Sequence, residues 1–194
     1  MTSYDARSAL IVVDVQNDFA DPDGSLYVAD GEAVVRVAND EVAQAGAAGS
    51  LVVYTQDWHP PSTPHFETSG GVWPVHCVRD TWGAQLHPDL VVAGPVVRKG
   101  TGGEDGYSGF TVRRPESGEE SDTALEAMLR DHGVTCVVIV GLAADVCVKD
   151  TALDAVRRGF DTTVLRDGVR AVERTPGDGA AALAELSAAG VEVR

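Results

Sequence analysis

In VGLAADVCVKDTALDA (140–155), Cys147 stands where a short apolar run gives way to a segment with apolar residues at helical spacing. Val137, Val138, Ile139 and Val140 make the run. Val148, Ala152, Ala155 and Val156 recur as one face of a helix. A cysteine in the first turn of a helix can act as a nucleophile, because the helix N-terminus favours the thiolate. Such chemistry needs a proton acceptor, and Asp14 offers one at the end of the apolar run ALIVVDV (9–15). Lys99 closes PVVRK (95–99) and supplies a cation that could stabilise the thiolate and orient the carboxylate. Each residue alone has a commonplace structural reading. A lone cysteine is often a small core hydrophobe, a strand-end Asp a turn residue, and a strand-end Lys a solvated charge. Only their convergence at one sheet edge points to catalysis.

A second constellation lies in QDWHPPSTPHFETSGGVWPVHCV (56–78). Asp57 and His59 form an Asp-x-His pair that can bring a carboxylate oxygen and an imidazole nitrogen to one ion. His65 and His76 could complete a mixed nitrogen and oxygen site suited to Zn, Mn or Fe. Glu67, close to His65, is an alternative fourth ligand. The three cysteines, Cys77, Cys136 and Cys147, include no CxxC pair, so neither a disulfide framework nor a zinc knuckle is expected. Cys77 has no evident base and reads as structural. Cys136 opens an apolar run and reads as core.

Positioning these residues requires strands that end at a common edge. Six strand-like segments alternate with helix-like ones: 9–15, 51–56, 95–99, 136–142, 162–167 and the terminal VEVR. Helical spacing appears over 31–46, 122–132 and 178–189, and Gly133, Gly159 and Gly190 stand where helices would end. This alternation predicts an α/β fold: one domain over residues 1–194, an open, mostly parallel six-stranded sheet with helices on both faces. The stretch 57–94 breaks the alternation, and an irregular segment of that length is usually functional. Ligands of open α/β sheets bind beyond the carboxyl ends of the strands. That rule independently selects Asp14, Asp57, His59, Lys99 and the Cys147 segment.

Composition narrows the partners. A formal charge of -15 on 194 residues disfavours nucleic acid and anionic membranes. No apolar run approaches a membrane span, and the N-terminal residues lack a signal-peptide pattern, so a cytoplasmic location is expected.

The blocks VVDVQNDF, TQDWHP, WPVHC, KGT…YSGF and VGLAADVCV, in that order from residue 9 to about 155, resemble the isochorismatase-like cysteine hydrolases. Within that superfamily the resemblance is to the nicotinamidase/pyrazinamidase group. It implies a Rossmann-like isochorismatase fold and a triad of Asp14, Lys99 and Cys147. It implies a divalent metal, Zn foremost with Mn or Fe as alternatives, on Asp57, His59 and His76 with His65 as the fourth ligand. Phe19, Trp73 and Tyr107 match aromatic positions that hold a flat heteroaromatic ring. Ala143, preceded in the family by a cis peptide bond, matches the position whose N–H joins that of Cys147 in an oxyanion hole. One departure stands out: Ala144 replaces the usual Thr, which removes a hydroxyl but no backbone donor.

The implied reaction is hydrolysis of nicotinamide, and of pyrazinamide, through a cysteine thioester, with a small-molecule amide as partner and a homo-oligomeric assembly. A carbamoyl or ureido amidohydrolase is the alternative within the superfamily. A metal or thiol-redox protein without hydrolase activity is the alternative outside it.

Overall fold

The computed structural model describes residues 4–194. In chain order the elements are β1 (Ser8–Val13), α1 (Asn17–Ala20), α2 (Gly31–Ala47), β2 (Leu51–Asp57), β3 (Val96–Lys99), β4 (Thr111–Arg113), β5 (Glu120–Asp122), α3 (Leu125–Asp131), β6 (Cys136–Leu142), α4 (Cys147–Arg157), β7 (Asp161–Arg170), α5 (Asp178–Ala188) and β8 (Glu192–Val193). All six expected strands form a single sheet in the order β3-β2-β1-β6-β7-β8, with every neighbouring pair parallel. The short antiparallel pair β4–β5 was not foreseen and lies outside that sheet.

The central strands read as continuous apolar runs because both faces are covered. Along β1, Ala9, Ile11 and Val13 pack into one core with buried residues of α3, α4 and α5. Leu10 and Val12 face the opposite core with α2 and part of the long 58–95 connection. Thus α2, the short α1 and an irregular segment cover one face, and three helices the other. On α4, Val148, Ala152 and Ala155 are fully buried at i, i+4 and i+7, the stripe an amphipathic helix needs. Leu125 and Leu129 do the same for α3; burying a leucine contributes about 1.5–3 kcal/mol, enough to seat a seven-residue helix with little intrinsic stability.

Strand order reverses direction at β1, between its neighbours β2 and β6. Open α/β sheets bind ligands beyond the carboxyl ends of the strands at such a switch point. Asp14 follows β1 directly, and Ala143 and Cys147 follow β6. The flanking strands β2 and β3 end on Asp57 and Lys99. Four adjacent strands therefore each present one polar residue to a common region. No helix among the described residues is long and apolar enough to cross a membrane.

Candidate active site

Cys147 is the first residue of α4, as its sequence position predicts, and is only 7% exposed. Asp14 is wholly buried and adopts a left-handed conformation (φ 47°) where the chain leaves β1. Its Oδ1 accepts a hydrogen bond from Thr55 Oγ1 at 2.7 Å, and its Oδ2 lies 2.6 Å from Lys99 Nζ. The ammonium also reaches Asp57 Oδ1 at 2.5 Å, the Gly106 carbonyl, and Cys147 Sγ at 3.6 Å. Lys99 is therefore more than a cation beside a thiol. It ties Asp14 to Asp57, and so joins the two constellations that the sequence showed separately.

This sharing separates the two carboxylates electrostatically. Burial would raise Asp57, but Lys99, His59 and His76 together outweigh it and hold the carboxyl well below the usual range. For Asp14, burial dominates over the attraction of Lys99, with Asp57 adding repulsion, so its pKa is raised. Burial works against the charge on Lys99 too, yet Asp14, Asp57 and Cys147 more than offset it and keep the amine protonated. The Cys147 thiol is pushed well above its ordinary range, first by burial, with Lys99 opposing and Asp14 and Asp57 reinforcing. The helix terminus and Lys99 therefore do not by themselves lower the thiol, which fits the expectation that Cys147 needs a proton acceptor beside it. Of two carboxylates on one ammonium, Asp14 is the more basic, which suits a proton acceptor.

The metal-binding candidates also converge. Ring nitrogens of His59, His65 and His76 lie within 4.8 Å of one another, all in buried side chains. Asp57 Oδ2 stands 3.7 Å from His59 Nε2 and 3.9 Å from His76 Nε2. Glu67, the alternative to His65, is exposed at the start of a short 3-10 turn, while His65 is 5% exposed. His65 Nδ1 lies 2.7 Å from Asp105 Oδ1, and His76 Nδ1 lies 2.7 Å from the Pro74 carbonyl. Both partners are acceptors, so the protons sit on Nδ1 and each Nε2 keeps its lone pair. Burial pulls His65 below its ordinary pKa and His76 down to about 4, so both rings are neutral, as ligands must be. His59 is fully buried with neither ring nitrogen hydrogen-bonded among the described residues. A buried imidazole without partners costs free energy unless something satisfies it. An ion would do so. Three imidazoles and a carboxylate suit a divalent transition metal. Gly100 is required beside this ring, because a Cβ there would come within 2.6 Å of His59 Nδ1 and Gly100 already has φ 72°.

Cys147 of the first group and Asp57, His65 and His76 of the second line a single cleft. Ala143 lines it too, and an Asp57 carboxylate oxygen lies within 4.8 Å of Cys147 Sγ. Phe19, from α1, and Trp73 and Tyr107, from irregular segments, line it as well, with Trp73 Nε1 donating to Tyr107 Oη at 2.9 Å. The peptide bond between Leu142 and Ala143 is cis. The N–H groups of Ala143 and Cys147 donate to no acceptor among the described residues, leaving two backbone donors beside the thiol.

Three supporting residues escaped the sequence reading. Thr55 holds Asp14, and period-two alternation could have found it, because Thr55 shares a strand face with Asp57. Gln16 accepts from the Asp57 N–H through Oε1 and donates to the Asp57 carbonyl through Nε2, both at 2.8 Å. Asp105 sits in a loop with no periodic signal at all.

Comparison with known proteins places this arrangement. The isochorismatase domain family matches residues 8–194. A nicotinamidase/pyrazinamidase from Mycobacterium tuberculosis is 43% identical over 192 residues, covering 95% of this chain and 97% of the relative. The solved pyrazinamidase of Pyrococcus horikoshii in complex with zinc superposes with a TM-score of 0.85 at 38% identity, covering 97% of this chain and 98% of the other. PnC1 from L. infantum in complex with nicotinate gives 0.90 at 37% identity, covering 100% and 95%. The chain belongs to the isochorismatase family and, within it, to the nicotinamidase/pyrazinamidase group.

Proposed function

We propose that this protein hydrolyses nicotinamide to nicotinate and ammonia, and pyrazinamide in the same way, using Cys147 as nucleophile. The observation that carries the reading is a single cleft lined by a buried thiol and by Asp57, His65 and His76, with Asp14 buried next to the thiol and two free backbone donors close by. Phe19, Trp73 and Tyr107 in the same lining suit a flat aromatic ring. The identities of the relatives support the same substrate class.

In this reading the pyridine ring lies among Phe19, Trp73 and Tyr107, whose faces favour aromatic contact. Asp57, His59, His65 and His76 would hold a divalent ion, zinc by preference, which supplies a Lewis-acid point for the ring nitrogen, directly or through water. Asp14 takes the proton from Cys147 Sγ, and Sγ bonds to the carboxamide carbon. The carbonyl oxygen becomes an oxyanion held by the Ala143 and Cys147 N–H groups. As the C–N bond breaks, Asp14 returns the proton to the leaving nitrogen, and ammonia departs. A water, deprotonated by Asp14, then adds to the thioester carbon; the C–S bond breaks, and the proton on Asp14 goes to the thiolate. Lys99 stays protonated throughout and keeps Asp14 aligned.

An ammonia-release assay on nicotinamide, pyrazinamide and a ureido acid tests the assignment. Release from the first two, with the matching acids as products, is expected. Ammonia from the ureido acid alone would move the protein to the carbamoyl branch of the superfamily, and none from any substrate would refute hydrolase activity on these amides.

A further inference from the structure

We propose that Asp105 is a positioning residue for the metal site, orienting His65 by a carboxylate–imidazole hydrogen bond and carrying the β4–β5 hairpin's constraint into the cluster; the inference rests on the metal reading given above. The three clustered histidines are not held alike. His76 Nδ1 meets the neighbouring Pro74 carbonyl, and His59 packs its ring against Gly100. His65 alone is oriented by a charged group, Asp105 Oδ1 at 2.7 Å. Like His59 and His76 it lies in the 58–95 connection between β2 and β3, where no strand or α-helix fixes its backbone, but His59 follows β2 by two residues and is bridged to Val78, whereas His65 has neither support.

Asp105 is built to stay in place. It is 7% exposed, and its N–H and carbonyl both pair with Arg113 across an isolated antiparallel bridge, at 2.7 and 2.9 Å. Its second carboxylate oxygen accepts from Arg113 Nη2 at 3.1 Å. One oxygen thus faces the histidine while the other is anchored to β4. The next residue, Gly106, gives its carbonyl to Lys99, and Tyr107 follows in the cleft wall. A shift at Asp105 would therefore reach His65, Lys99 and Tyr107 together. A carboxylate on the far nitrogen of a ligating histidine selects the tautomer and raises the ligand's basicity, and losing it typically costs about 10–100-fold in metal affinity.

The test uses the full chain stripped of metal, titrated with Zn²⁺ in competition with a chromophoric chelator. Asp105→Ala is expected to bind Zn²⁺ about 10–100-fold more weakly than the parent. In the metal-free state its His65 ring should lose the single Nδ1–H tautomer in ¹⁵N imidazole spectra. Asp105→Asn, which keeps a carbonyl acceptor without the charge, should fall between the two and decides the matter if the alanine variant does not fold. Affinity and His65 tautomer both unchanged from the parent overturn the proposal. A lower metal-free melting midpoint with an unchanged tautomer also overturns it, since that marks a merely structural role. A parent protein that takes up no Zn²⁺ overturns the metal reading itself, a result distinct from variants that match the parent.

Discussion

The two groups of residues that meet at the cleft are built on different principles. In the proposed nucleophile group, Asp14, Lys99 and Cys147 sit at or just beyond the ends of strands or at the start of a helix, backed by close-packed cores. In the proposed ion-binding group, only Asp57 lies on a strand, and the three histidines hang from irregular chain. Regular elements give the first group its geometry through the sheet. The second group depends on local partners: Pro74 for His76, Asp105 for His65, and Gln16 for the Asp57 backbone. On the proposed roles, the bond-making residues take their places mainly from the sheet and α4, and the ring-orienting ones mainly from hydrogen bonds within irregular chain. Lys99 is where the two regimes meet.

The comparison can be broken first at Cys147. Cys147→Ala should lower turnover by more than about 10⁴-fold, as removal of a nucleophile does. The fold and the bound metal should be retained, because alanine is a good helix former and the ion-binding group is untouched. Substantial ammonia release by that variant would falsify the nucleophile assignment.

Lys99→Met sharpens the contrast by striking both groups together. It leaves Asp14 and Asp57 buried without their shared ammonium, and removing one partner of a buried pair costs about 3–5 kcal/mol. A large drop in melting midpoint is expected along with the loss of activity. The sign for the thiol follows from the charges: Lys99 lowers the Cys147 pKa, so its loss raises that pKa further and cuts the thiolate fraction at any given pH. The alkylation profile against pH should shift upward. An unchanged profile and midpoint together would remove Lys99 from its bridging role.

Chelation probes the ion-binding group alone. Metal-free protein should stay folded, because the cluster lies outside the two main cores, while nicotinamide affinity and turnover fall. Stability should drop by the binding contribution, about 4 kcal/mol for an ion at 1,000 times its dissociation constant. Normal turnover by chelated protein contradicts the orienting role.

The smallest effect separates two neighbours. His65→Ala should lose measurable metal affinity, whereas Glu67→Ala, exposed and outside the cluster, should change stability by less than about 0.5 kcal/mol and leave metal uptake alone. Metal content after dialysis reads both. Equal losses would place Glu67 among the ligands.

The sequence alone determined the sheet and its edge. Buried parallel strands must be near-continuous apolar runs, so β1, β2 and β6 announce themselves, the half-exposed β3 and β7 show shorter runs, and a polar residue closing a run emerges at the carboxyl edge. Asp14, Asp57, Lys99 and Cys147 were legible for that reason. The hairpin β4–β5 was not, since its three-residue strands are intermediate or exposed and carry no apolar period. Only the tertiary structure decided that His65 rather than Glu67 enters the cluster, that one ammonium serves two carboxylates, and that burial pushes the Cys147 thiol up. Each of these depends on burial and on partners about 40 residues or more away along the chain, such as Asp105 for His65 and Lys99 for Asp57 and Cys147. Desolvation and long-range pairing arise when segments meet in space, and no local spacing of residue types encodes them.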